Sequence, residues 1–100
     1  MRLTKQQIKC LIEATHESFG DSSDIWLFGS RVDDSKKGGD IDLYIETDLE
    51  SGTVMAKLKM RELLWPSFGD QKIDILVRSR KGSPSPLHEI AKSTGQKLAA

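Results

Sequence analysis

Two short stretches of this 100-residue chain alternate strictly between apolar and polar residues, and they restrict what it can fold into more than any other feature. In Asp40-Ile41-Asp42-Leu43-Tyr44-Ile45-Glu46, Ile41, Leu43 and Ile45 face one way and Asp40, Asp42, Tyr44 and Glu46 the other. Lys72-Ile73-Asp74-Ile75-Leu76-Val77 repeats the pattern, with Ile73, Ile75 and Val77 opposed to Asp74 and Leu76. A period of two is the pleat of a β-strand. Each strand thus has an aliphatic face that needs covering and a second face that bears carboxylate.

The rest of the chain supplies the cover. Thr4 with Gln7 three residues on makes a capping box, and Ile8, Leu11, Ile12, Thr15 and Phe19 recur at helical spacing until Gly20. Ile25-Trp26-Leu27-Phe28, halted by Gly29, reads as a buried strand. Thr53 is positioned to cap a helix running to about Leu64, whose Val54, Met55, Ala56, Leu58, Met60, Leu63 and Leu64 cover a broad face; Pro66 is expected to stop it. Residues 78–85 read as a polar loop. Pro86 behind Ser85 opens a short final helix with Leu87, Ile90 and Ala91, ending near Gly95. The expected fold class is α+β (α/β): one domain over residues 1–100, a small mixed sheet with helices packed against it. No internal repeat divides it.

Composition bounds the function. At 37% hydrophobic and 30% charged residues the chain reads as soluble and globular. Lys+Arg and Asp+Glu balance at 15 each, so no basic field advertises a nucleic-acid partner. The lone Cys10 cannot form an intramolecular disulfide and suits a reducing compartment. There is no long apolar segment and no apolar signal-peptide core, so a cytoplasmic protein is expected, with no membrane partner.

Asp40 and Asp42 lie two apart on one strand, so their side chains point the same way and repel unless a cation sits between them. Asp74 could complete the cluster if its strand is a neighbour. Three oxygen donors without nearby Cys or His favour magnesium or manganese over zinc. The alternative is that Asp40 and Asp42 line the wet side of a half-exposed strand. Gly29 either ends a strand or lets a phosphate approach the backbone; Ser30 either caps a turn or presents its hydroxyl and N–H to the same oxygens. Arg31 is a phosphate clamp or a solvated cation. Lys36-Lys37 is a solvated pair that could steer an anion. His16, His88 and Cys10 have no partner at a readable spacing. Trp26 and Trp65 read as packing residues, Trp65 beside Pro66 being open to an exposed edge.

Gly29-Ser30, then Gly39-Asp40-Ile41-Asp42-Leu43, then Asp74 resemble the nucleotidyltransferase signature of the DNA polymerase β superfamily, over roughly residues 4–98. The chain is most similar to the minimal nucleotidyltransferase group. The resemblance implies that Asp40, Asp42 and Asp74 bind two magnesium or manganese ions, Asp74 also assisting deprotonation of the acceptor. It implies that Gly29 and Ser30, supported by Arg31, hold the β- and γ-phosphates of ATP or another nucleoside triphosphate. NMP would then pass to a hydroxyl of a partner protein, a separate helical protein of the HEPN type in a toxin–antitoxin pair, with this chain as the antitoxin. Two features depart from the pattern: no second Arg lies between Ser30 and Asp40, and there is no acceptor-binding domain. A catalytically weak module that neutralises its partner by docking is the alternative.

Overall fold

The computed structural model describes residues 3–28, 41–69, 71–82 and 86–98, with the side chains of Leu87, His88 and Ala91 excepted. The element order is α1 (Lys5–Phe19), β1 (Asp24–Phe28), β2 (Ile41–Thr47), α2 (Thr53–Phe68), β3 (Ile73–Ser79), α3 (Pro86–Thr94) and β4 (Gln96–Leu98). The strands form one mixed sheet in the order β3-β2-β1-β4. β1 pairs antiparallel with β2 and β4, whereas β2 and β3 run parallel. A parallel pair cannot be joined by a tight turn, and α2 is the crossover that joins this one. The fold class is the expected α+β.

The aliphatic faces of the strands meet α1 and α2. Ile41, Leu43 and Ile45 are fully buried, and Leu11, Ile25, Met60 and Leu64 join them in one core. α1 starts as its sequence signals: Gln7 N–H donates to Thr4 Oγ1 at 3.0 Å and Thr4 N–H to Gln7 Oε1 at 2.9 Å. Its far end is tied to the sheet, where the buried Thr47 hydroxyl donates to Phe19 O at 2.8 Å.

Four sequence expectations are corrected. Pro66 does not stop α2, which continues to Phe68; Pro66 removes only its own N–H from the ladder, and Leu64 and Phe68, one turn apart, both seat in the core. Thr53 is not the cap but the first helical residue, behind Gly52 at φ 75, whose carbonyl accepts from Ala56 N–H at 3.0 Å. Arg78 and Ser79 belong to β3 and not to the polar loop. Finally, the tail after α3 forms β4, which pairs Leu98 with Ile25 and Lys97 with Trp26.

Met60 is fully buried where α2 crosses the sheet. Met60→Ala is expected to lower unfolding stability by about 2–5 kcal/mol in a urea titration. A loss below about 1 kcal/mol would contradict this packing.

Candidate functional site

Parallel pairing of β2 with β3 puts Asp42 opposite Asp74. Neighbouring strands lie ~4.8 Å apart, and partners in register share a face, so both carboxylates emerge together. Each is the second residue of its strand, which sets the pair at one end of the sheet. On the other side of β2, Asp42 pairs with Phe28, the last residue of β1. Asp42 is half-buried and Asp74 exposed. The start of β3 is pinned from two directions. Ile41 N–H donates to Lys72 O at 3.0 Å, and Arg61 on α2 donates from Nη1 to Ile73 O at 2.7 Å.

Gly29, Ser30, Arg31 and Asp40, the other residues singled out from the sequence, lie outside the described residues, as do Lys36 and Lys37. Gly29 is bonded to Phe28 and Asp40 to Ile41, the two strand termini that flank this end. Among the described residues no group of three or more His, Cys, Asp or Glu side chains converges. Asp42 and Asp74 are what the fold brings into register, and their donor set, carboxylate oxygens without Cys or His, fits a hard divalent cation.

The same face continues inward from the carboxylates, but it is not wet. Tyr44 is fully buried and Glu46 is 5% exposed, under the side of the sheet where α3 lies. Glu46 Oε2 accepts from the Tyr44 hydroxyl at 2.7 Å and from Arg78 Nη1 at 3.2 Å, with Lys92 Nζ of α3 at 3.5 Å. The ammonium groups of Lys92 and Lys97 also lie over the Trp26 ring, 5.5 and 5.6 Å from its centroid, and Trp26 tilts against Tyr44. Burial and the bond to Glu46 push the Tyr44 phenol from 10.0 up to about 12. Burial alone would raise Glu46, but the Tyr44 hydrogen bond and the Lys92 and Arg78 cations outweigh it and hold the carboxyl below its usual value. Sequence reading placed Glu46 on the carboxylate face but missed these partners. The signal was the matched spacing of Asp42 and Glu46 with Asp74 and Arg78, which pairs opposite charges two repeats of the pleat beyond the like-charged pair.

A second cluster ties the far end of the sheet. Arg80 donates to Asp24 Oδ2 at 2.5 Å, Asp48 Oδ1 at 3.3 Å and Ser22 O at 2.9 Å, joining the end of β3 to the approach to β1. The Ser22 hydroxyl and Arg80 together lower the Asp48 carboxyl. Of the remaining candidates, His16 is half-buried on α1, and Cys10 Sγ lies 3.8 Å from Leu63 O between the two helices. Trp26 packs as expected, whereas Trp65 is 61% exposed. No protein-family model matches this chain, and no curated protein matches it. Among the described residues no helix is long and apolar enough to cross a membrane.

Tyr44 is the sole tyrosine, so phenolate absorbance reads this network directly. In the folded protein its titration midpoint should lie near 12, against 10.0 for the free side chain. The folded state holds this proton longer, so its contribution to stability is complete below pH 10.0 and is lost as pH rises towards 12. Glu46 acts with the opposite sign: its contribution is present above pH 4.5 and is lost as pH falls through the lowered folded value. A folded-state midpoint near 10 would contradict the buried Tyr44–Glu46 bond.

Proposed function

We propose that the protein is a metal-dependent nucleotidyltransferase that moves AMP from ATP to a hydroxyl of a partner protein, a helical HEPN-type toxin for which this chain is the antitoxin. The observation that carries this reading is the register of Asp42 with Asp74 beside the end of β1. It supports the Asp-x-Asp plus third-carboxylate signature in a way that a chance motif does not require, since either strand could have paired in another register. The half-buried Asp42 also argues against a merely solvated row of acids.

In this reading Asp40, Asp42 and Asp74 hold magnesium or manganese, which when bound neutralises charge around the α-phosphorus and orients attacking and leaving oxygens. The chain's own residues do the rest. Gly29 and Ser30 offer backbone and hydroxyl donors to the β- and γ-phosphates, with Arg31 adding a fixed positive charge. Asp74, exposed at the sheet edge, accepts the proton of the incoming hydroxyl. A bond forms between that oxygen and the α-phosphorus, the bond to the bridging oxygen breaks, and pyrophosphate leaves.

One observation favours the docking alternative. Val54, Met55 and Leu58 of α2 are 68%, 69% and 51% exposed, an apolar strip on the side of the helix turned from the core. A partner that covered this strip would need no chemistry at the carboxylates.

Incubation with α-labelled ATP, magnesium and any helical protein encoded beside this chain separates the readings. The transferase reading expects label on the partner, reduced on the order of 100-fold or more by Asp42→Asn or Asp74→Asn. A tight, unlabelled complex that is unchanged by either substitution, and is lost with Leu58→Asp, would establish docking instead.

A further inference from the structure

A pocket of about 270 Å³ lies at the outer edge of the sheet, between the last turns of α2 and the start of β3, and neither the carboxylate pair nor the buried network accounts for it. Its lining is Arg61, Leu64 and Trp65 from α2, Gly69 and Gln71 from the connection, and Ile73 from β3. Leu64 and Ile73 are buried and give it an apolar floor. Trp65 forms a wall and is 61% exposed, an aromatic face on which a planar ring can stack. Arg61 is held in place because its Nη1 donates to Ile73 O at 2.7 Å. The other donors of the guanidinium fork remain for acceptor atoms on the edge of such a ring.

Size and position narrow the ligand. The volume falls at the low end for small-molecule sites, so it suits a single ring system with the rest of the molecule outside. Ile73, on the pocket wall, directly precedes Asp74, and successive side chains leave a strand on opposite faces. Among the described residues β3 is an edge strand, so no described strand lies between the pocket and the carboxylates at its start.

We infer that this pocket receives the base of the nucleotide whose phosphates are handled beside Asp42 and Asp74, with the ring stacked on Trp65 and its acceptor edge towards Arg61. The inference rests on the transferase reading. It assigns Trp65 and Arg61 to base recognition, and it explains why α2 leaves its largest side chain open at the end that adjoins the carboxylates. The phosphates, by contrast, make no use of the pocket.

Equilibrium binding of two probes to the full chain with magnesium, ATP and inorganic tripolyphosphate, tests the assignment. Wild type should bind both, with ATP quenching tryptophan fluorescence. Trp65→Ala should weaken ATP by about 10-fold or more while leaving tripolyphosphate unchanged. Trp65→Phe, which keeps a stacking face, should restore most of the affinity. Circular dichroism should show both variants folded, since the side chain is exposed. Wild-type ATP affinity in Trp65→Ala, or equal losses for both probes, would overturn the base pocket and leave the transferase reading standing. Failure of wild type to bind either probe would remove that reading and the pocket's role with it.

Discussion

The parallel ladder between β2 and β3 fixes three pairs of residues on each face of the sheet, and the site, the buried network and the core all follow from it. Asp42 meets Asp74, Tyr44 meets Leu76, and Glu46 meets Arg78 on one face, while Ile41, Leu43 and Ile45 meet Ile73, Ile75 and Val77 on the other. A slip of one residue would turn Asp74 into the aliphatic layer and expose Ile73 and Ile75. α2 covers that layer with Ala56, Met60, Leu64 and Phe68, so the crossover helix enforces the register that the strands need. The bond from Arg61 to Ile73 O fastens the same helix to the first residue of β3.

The two ends of the non-aliphatic face carry opposite electrostatic logic. Towards the middle and far end, carboxylates are matched by cations: Glu46 with Arg78 and Lys92, and Asp24 with Arg80 and Lys97. Removing one partner of the buried set would strand a charge under α3, which is costly enough to hold α3 on this side of the sheet. At the near end, register brings the two acids Asp42 and Asp74 side by side, with Phe28 of β1 opposite Asp42. Two carboxylates set side by side in register form a hard-oxygen donor pair of the kind a divalent cation takes. The pocket beside Trp65 shares this strand end, since Ile73 on its wall directly precedes Asp74.

Much of this was legible in the residues. Strict alternation gave β2 and β3 and put Asp42 and Asp74 on the non-aliphatic face of each strand, because a buried aliphatic face tolerates no other period. The capping box of Thr4 and Gln7 located the first turn of α1. What escaped depended on partners distant in sequence. β4 has only three residues, too few to show a period, and exists because β1 offers an open edge. Pro66 read as a stop because local rules cannot see Phe68 seated in the core beyond it. Arg78 and Arg80 looked like loop charges until Glu46, Asp24 and Asp48 came within reach. For the site, Asp42 and Asp74 could be named, but only the strand order made them neighbours.

The central claim is that Asp42 and Asp74 act as one cation site, and manganese answers it directly. Titrating Mn²⁺ into the ¹⁵N-labelled full chain should broaden the amide signals of residues 41–43 and 73–75 first and together, through paramagnetic relaxation. Asp42→Asn should abolish that selective broadening. Broadening centred instead on exposed acids such as Glu13 and Glu17, with residues 41–43 and 73–75 untouched, would contradict the account.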